Sequence, residues 1–170
     1  MSVIAYVGLG SNLGDRAASC RAAVRALLES PAIRLRAASS LYESEPLGPV
    51  LDQPLFLNGV VELETLLDAD DLLELLLDVE EALGRERTVP QGPRVIDADL
   101  LIYGDLVHDS PRLIVPHPRL TERRFVLVPL LEIAPLLLHP RTGELLAALL
   151  ERAPAARVVR RPELDLRVWA

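Results

Sequence analysis

The stretch Gly92-Pro93-Arg94-Val95-Ile96-Asp97-Ala98-Asp99-Leu100-Leu101-Ile102-Tyr103-Gly104 governs the reading of the whole chain. It opens on a Gly-Pro turn signal and then becomes apolar, β-branched and aliphatic for about the length of a buried strand, closing at Gly104-Asp105. Only two aspartates interrupt the apolar run. Asp97 and Asp99 stand two residues apart, so on an extended backbone both carboxylates leave the same face. At that separation they repel by about 4 kcal/mol for an effective dielectric of about 20. A fold that keeps both places positive charge between them, either an arginine or a hard divalent cation. A strand cap, or a pair with Arg94, would also account for an Asp-x-Asp standing alone. The rest of the chain has to separate these readings.

Immediately upstream, Arg85-Glu86-Arg87-Thr88-Val89-Pro90-Gln91-Gly92-Pro93-Arg94 brings three arginines to the edge of that strand. Surface ion pairing would explain a scattered arginine. A cluster beside paired carboxylates, in an acidic protein, instead describes a metal-and-polyphosphate site. The loop follows the clearest helix, predicted from Asp70 to Leu83. Asp68 and Asp70 are its N-cap candidates, Leu72, Leu73, Leu76, Val79 and Leu83 form its stripe, and Gly84 ends it.

Further back, Phe56 to Thr65 reads as a strand with Phe56 and Asn58 on one face. Beside an aromatic ring, Asn58 is suited to reading the edge of a flat heterocycle, although a solvated strand residue would look the same. The preceding segment, Glu43 to Pro54, is proline-rich and too long for a tight hairpin, which marks a functional loop. Ile33 to Tyr42 alternates as one half-buried strand. A helix is expected from Asp15 to Glu29, with Ala17, Cys20, Val24, Leu27 and Leu28 on one face. Val3 to Gly8 is a short buried strand, and Gly8 to Asp15 a turn-rich link. Its glycines match neither the dinucleotide fingerprint nor the P-loop, so it reads as a tight strand-to-helix turn.

Downstream, Pro116-His117-Pro118 locks a histidine between two prolines, followed by Arg119, Arg123, Arg124 and Phe125. Helices are expected from about Leu127 to Ile133 and, more weakly, from Glu144 to Arg152. Val158 to Trp169 alternates and reads as an edge strand or a tail. The resulting order is strand, helix, strand, long loop, strand, helix, arginine loop, strand. That is α+β, a ferredoxin-like split β-α-β sandwich, with a mainly antiparallel sheet and helices packed on it. Such a fold is shared too widely to give a function.

The 170 residues suffice for one domain with a continuous core, and no internal repeat or boundary divides residues 1–170. A net charge of −7 argues against nucleic acid or an anionic membrane as partner. All 18 basic residues are arginine, the cation suited to bidentate phosphate contacts. A single cysteine excludes an internal disulfide. Met1 to Gly10 lacks the features of a signal peptide, and no apolar run approaches the ~20 residues of a membrane span, so a cytoplasmic location is expected.

Taken together, the motifs resemble the 6-hydroxymethyl-7,8-dihydropterin pyrophosphokinase family. The match is carried by Gly8-Leu9-Gly10-Ser11-Asn12-Leu13-Gly14-Asp15, Tyr42 with Pro46-Leu47-Gly48, Asp52-Gln53-Pro54 and Phe56-Leu57-Asn58. It continues through Gly92-Pro93-Arg94 with Asp97-Ala98-Asp99, and Val115-Pro116-His117-Pro118-Arg119. The resemblance implies transfer of pyrophosphate from ATP to the pterin hydroxymethyl group, leaving AMP, in folate biosynthesis. It implies two Mg2+ ions held by Asp97 and Asp99, with Arg85 and Arg94 as catalytic phosphate clamps. Glu80, Arg85, Arg87, Arg94, Leu100, Arg112, His117 and Arg123 would serve ATP. Ser44, Leu47, Phe56, Asn58 and Phe125 would serve the pterin, stacked between the chain's only two phenylalanines. Without the resemblance, those two rings read as ordinary core packing.

Two departures stand out. The family commonly carries Arg-Trp where this chain has Pro90-Gln91, so closure of the site is either looser or uses other residues. Ile114 replaces a hydroxyl side chain found in some members. Two rival functions also fit parts of this pattern. One is a metal-dependent nucleotidyltransferase, expected to release pyrophosphate. The other is a non-catalytic ligand-binding module, which has no need of Asp97, Asp99 and the arginine loop together.

Overall fold

The computed structural model describes residues 1–87 and 89–167. A six-stranded antiparallel sheet carries the molecule, built from β1 (Val3–Ser11), β2 (Ile33–Ala38), β3 (Ser40–Ser44), β4 (Phe56–Thr65), β5 (Asp97–Tyr103) and β8 (Val158–Asp165). Its order is β5-β1-β4-β3-β8, with β2 also paired to β4. Helices α1 (Arg16–Leu28) and α2 (Ala69–Ala82) make the two crossovers, so the first and fourth strands of the split β-α-β pattern lie side by side at one edge. A small hairpin, β6 (His108–Asp109) with β7 (Ile114–Val115), follows β5. The Leu120–Glu122 3-10 turn then leads into α3 (Arg124–Ile133), and α4 (Leu146–Arg152) precedes β8.

Both faces of the sheet are covered, which is why its strands are apolar on both sides. Ala5, Val7 and Leu9 of β1 pack with Ala98 and Leu100 of β5 against Cys20, Val24 and Leu27 of α1 and Leu72 and Leu76 of α2. On the opposite face Tyr6, Val60 and Leu101 pack against Leu127 and Leu130 of α3 and Leu146 of α4. The α2 stripe follows the expected spacing. Asp68 is its N-cap, accepting the Asp71 N–H at 2.8 Å, and Gly84 follows its end with φ +87°. Asp15 caps α1 in the same way, accepting the Ala18 N–H at 3.0 Å.

Several boundaries differ from the sequence reading. Strand β1 runs on through Gly8 and Gly10 to Ser11, so the turn-rich link shrinks to Asn12–Asp15. Of these two strand glycines, only Gly10 is crowded by a neighbour. A Cβ at Gly10 would meet Asn58 Oδ1 at 2.9 Å, whereas one at Gly8 would make only ordinary contact with Leu101 at 3.4 Å. The single strand expected from Ile33 to Tyr42 is two, broken at Ser39. The Ser39 hydroxyl accepts the Val60 N–H at 2.9 Å and donates to the Ser40 carbonyl at 2.7 Å, taking ladder partners for itself. Helix α3 starts at Arg124, three residues before the expected Leu127, and continues through Pro129. Helix α4 starts at Leu146, not Glu144. The C-terminal alternation is an edge strand, β8, hydrogen-bonded to β3. Val168 and Trp169, expected in the same segment, lie outside the described residues. Among those residues no helix is long and apolar enough to cross a membrane.

Candidate active site

The strand register places the site. Ala98 and Leu100 face the α1/α2 layer, so Asp97 and Asp99 project from the other face of β5, as the period of two requires. Asp97 is registered opposite Gly10, and Gly10 opposite Asn58, which in turn pairs with Tyr42. One row across three strands therefore reads carboxylate, bare glycine, carboxamide. Phe56 and Asn58 share the face of this row, two residues apart on β4.

Asp97 is bound from two sides. Arg85, just past the end of α2, donates from Nη1 to Asp97 Oδ1 at 2.7 Å and to Glu80 Oε1 at 2.7 Å. Arg94 Nε stands 3.4 Å from Asp97 Oδ2 and is buried without a hydrogen bond. Glu80 sits beneath this pair, 3 % exposed in the last turns of α2. It accepts the Ala98 N–H at 2.8 Å and an Arg87 Nη2 bond at 3.0 Å. Burial nevertheless raises its carboxyl above the ordinary range, against the lowering effect of the Ala98 N–H and Arg85.

Asp99 has less compensation. Burial first, and the Asp97 carboxylate second, push it up to about 7, while Arg123 at 3.8 Å only partly offsets them. His117 lies nearby, its backbone N–H donating to the Leu101 carbonyl at 2.8 Å and its Nδ1 accepting the Arg119 N–H at 3.1 Å. Burial, then the Arg123 guanidinium, lower it to about 4, so at neutral pH it is an uncharged ring whose Nε2 carries the proton.

Two cavities meet at Asp97. The first, about 390 Å³, is lined by Ser44, Leu47, Phe56, Asn58, Arg94, Asp97, Arg123 and Phe125, together with Gln91, Arg119 and Glu122. Asn58 Nδ2 donates to Ser44 Oγ at 2.6 Å, which orients the carboxamide. Each phenylalanine carries a guanidinium: Arg94 lies 4.7 Å from the Phe56 centroid and Arg123 lies 5.7 Å from that of Phe125. The second cavity, about 330 Å³, is lined by Glu80, Arg85, Arg87, Asp97, Asp99, Leu100, Arg112 and His117. Each residue singled out from the sequence thus borders one cavity or the other. Arg112 sits at the rim, more than half exposed and paired with Glu74 at 2.5 Å.

The sequence reading gave no role to the residues that tie the walls together. Asn12, 2 % exposed, donates from Nδ2 to Gln53 Oε1 and to the Pro54 carbonyl, both at 2.9 Å. Its Oδ1 accepts the Arg94 N–H at 2.9 Å. One side chain thus joins the β1–α1 turn, the proline-rich loop and the arginine loop. Its only trace in the sequence is an Asn within a quoted motif, because the partners lie 41 and 82 positions away.

Comparison with known proteins agrees with this geometry. Residues 6–135 match the family model described as 7,8-dihydro-6-hydroxymethylpterin-pyrophosphokinase. The chain is 46 % identical over 158 residues to the Pseudomonas aeruginosa protein named 2-amino-4-hydroxy-6-hydroxymethyldihydropteridine pyrophosphokinase, covering 89 % of this chain and 97 % of that one. It is 42 % identical over 152 residues to the folic acid synthesis protein fol1 of Schizosaccharomyces pombe, covering 89 % of this chain but only 21 % of the fungal one. In three dimensions it superposes on a Plasmodium falciparum HPPK-DHPS crystal structure with a TM-score of 0.69 at 16 % identity, covering 89 % of this chain and 45 % of that chain. At that identity the likeness speaks for the fold alone.

Proposed function

This chain belongs to the 7,8-dihydro-6-hydroxymethylpterin-pyrophosphokinase family, and on that premise we propose that it transfers pyrophosphate from ATP to 6-hydroxymethyl-7,8-dihydropterin, releasing AMP. It is a transferase of the kinase class, with ATP as co-substrate, acting in folate biosynthesis as a single domain over residues 1–170.

The observation that carries the reading is the row Asp97–Gly10–Asn58. Asn58 and Asp97 stand two strands apart, about 10 Å, and the glycine between them adds no side chain of its own, so the Asn58 carboxamide leans over it toward Asp97. A flat two-ring heterocycle with a one-carbon arm fills that span. Its hydrogen-bonding edge rests on Asn58, with Ser44 and the backbone around Leu47, and its arm reaches Asp97. Phe56 lies under one face and Phe125 over the other, worth ~1–3 kcal/mol per stacked ring. As the pterin enters, Arg94 and Arg123 leave the aromatic faces for the incoming phosphates. The unsatisfied Nε of Arg94 supports that reading, since a phosphate oxygen would supply its missing acceptor.

On the other side, ATP lies along Leu100 and His117, with Arg85 and Arg87 on its phosphates and Arg112 at the rim. Neutral His117 donates from Nε2, which places a hydrogen bond on a phosphate or ribose oxygen with no proton to exchange. Glu80 holds Arg85 and Arg87 in place. Among the described residues no group of three or more His, Cys, Asp or Glu could hold a metal ion. Two adjacent carboxylates completed by phosphate oxygens and water suit magnesium, which is commonly bound through one or two carboxylates and its substrate's phosphates. The rise of Asp99 toward 7 marks the same place, because a divalent cation there would keep that carboxylate ionised. Asp97 and Asp99 would hold two Mg2+ ions, which when bound offset charge on the transferred group and align the attacking hydroxyl.

The test is the nucleotide product formed from ATP, magnesium and 6-hydroxymethyl-7,8-dihydropterin. AMP that appears only with all three present is the expected result. ADP would mean transfer of a single phosphoryl group and would overturn the reading. Pyrophosphate release without pterin would point to nucleotidyl transfer.

A further inference from the structure

One residue on the wall of the pterin cavity is accounted for neither by the metal site nor by the aromatic pair. Gln91 lines that cavity with Leu47, Phe56 and Asn58. Among the described residues it is the only non-glycine with positive φ, at +56°. Glycine or asparagine would take that backbone more readily, so the position is held against local preference. Two contacts hold it, both to the proline-rich loop. The Gln91 carbonyl accepts a hydrogen bond from Gln53 Nε2 at 3.1 Å. The side chain extends to the turn at Gly48, where a Cβ would stand 2.2 Å from Gln91 Oε1 and 3.2 Å from Cδ. Gly48, with φ +100°, presents bare backbone to that carboxamide.

The remaining groups of Gln53 are also committed. Its Nε2 donates to the Val50 carbonyl at 2.6 Å, and its Oε1 accepts from Asn12 Nδ2 at 2.9 Å. Asn12 Oδ1 takes the Arg94 N–H, three residues on from Gln91, at 2.9 Å. The contacts therefore close a ring running Gln91, Gln53, Asn12, Arg94 and back along the chain. Such a ring fixes the spacing of the two loops that face the pterin, and wall segments fixed in advance need less ordering when ligand binds.

We propose that Gln91 is a positioning residue for the pterin, fastening the arginine loop to the proline-rich loop so that the cavity wall at Leu47 is set before substrate arrives. The inference takes the identity of the ligand from the pyrophosphokinase reading, whereas the contact itself stands on the geometry.

Gln91→Gly removes the carboxamide and relaxes the left-handed backbone, so the fold is retained and Tm is unchanged or higher. The pterin KM should rise about tenfold in this variant, with kcat and the ATP KM within about twofold of the parent. Fluorescence titration with 6-hydroxymethylpterin, without nucleotide, should weaken by the same factor. Gln91→Asn, which tolerates the backbone but reaches one methylene less far, should fall between. Gly48→Ala should raise the pterin KM more in the parent than in the Gln91→Gly background, because the side chain it meets is then gone. An unchanged pterin KM and titration in Gln91→Gly overturns the proposal, as does a fall in kcat at constant KM. If the parent chain makes no AMP, the enzymatic reading fails, and the fluorescence titration alone decides the role of Gln91.

Discussion

On the proposed nucleotide side of Asp97 charge answers charge, whereas on the proposed pterin side rings and loops make the walls. Glu80, Arg85 and Asp97 are locked to one another at 2.7 Å on the end of α2 and the start of β5, two elements packed into the main core. The proposed pterin cavity takes Ser44, Phe56, Asn58 and Asp97 from the sheet but completes its walls with Leu47 and Gln91 from loops and Phe125 from the first turn of α3. On the proposed reading, the difference follows from what each side has to recognise. Removing charged groups from water is costly unless partners are already in position, so a polyphosphate site is best built on rigid elements. A flat heterocycle gives most of its binding energy through its faces, and surfaces that meet it can arrive on loops.

If this contrast holds, the charged side governs turnover and the ring side governs affinity. Asp97→Ala and Asp99→Ala should each lower the rate of AMP formation by roughly 1,000-fold or more, as expected when a preorganised electrostatic partner of the reacting group is lost. Pterin binding, followed by fluorescence, should stay within a few-fold, since the stacking surfaces are untouched. Near-normal turnover in either variant would dissolve the division of labour. Phe125→Ala is the mirror experiment. Phe125 is only partly buried, so its loss perturbs the fold less than loss of Phe56 would. Removing one stacking face should cost about 2 kcal/mol, or roughly thirtyfold in the pterin KM, with kcat and the ATP KM nearly unchanged. A fall in kcat alone would show that the ring orients the reaction as well as binding its substrate.

The two sides also differed in how much the sequence disclosed. The carboxylate pair, the arginine loop and the α2 stripe are local patterns, with periods of two and 3.6 that survive folding unchanged. Phe56 and Asn58 were likewise placed on one face by counting alone. The break at Ser39 was not visible, because the apolar alternation runs straight through it and only the Val60 N–H, 21 positions away, reveals the hydroxyl as a ladder partner. Gly10 looked like a turn residue because nothing local says that the Asn58 amide will lie over it. Asn12, Gln53 and Gln91 carry no periodic signal and act through partners tens of residues distant. His117 and Arg123 were assigned through family resemblance. The structure adds the physical terms, an uncharged ring and a guanidinium facing Asp99.

That uncharged ring gives a smaller and more specific prediction. His117 has its folded-state value near 4, below the ordinary 6.5, mainly through burial and then through Arg123. Between those values the unfolded chain binds the proton and the folded chain does not. The contribution to stability is therefore complete above pH 6.5 and is lost as pH falls toward 4. Allowing for the partly exposed ring, the loss should be on the order of 1 kcal/mol. Asp99, raised to about 7, tilts the other way, losing its contribution as pH rises, so the parent's profile alone mixes the two. His117→Asn keeps an acceptor for the Arg119 N–H and removes the titration. Urea unfolding of both proteins from pH 7 to pH 4 should show the parent's advantage shrinking across that window. A constant difference would mean that the fold leaves the histidine unshifted, and an advantage that grows as pH falls would mean that the ring is charged in the fold and belongs with the phosphate-binding cations.

Arg112 sets the lower limit of the comparison. It borders the same cavity as Arg85, but the two arginines differ in everything that gives a charge leverage. The Arg85 side chain is 16 % exposed and shared by two acids, whereas that of Arg112 is 55 % exposed, at 2.5 Å from Glu74 and 3.9 Å from Asp70. Both acids on Arg112 are themselves in open solvent, where water and salt screen the pairing. Arg112→Ala should therefore leave urea stability unchanged within error and raise the ATP KM by no more than about threefold, an effect that vanishes at high ionic strength. A salt-independent rise of tenfold or more would show that the rim closes over bound nucleotide and removes Arg112 from water. The charged wall would then, like the ring wall, be completed only by its substrate.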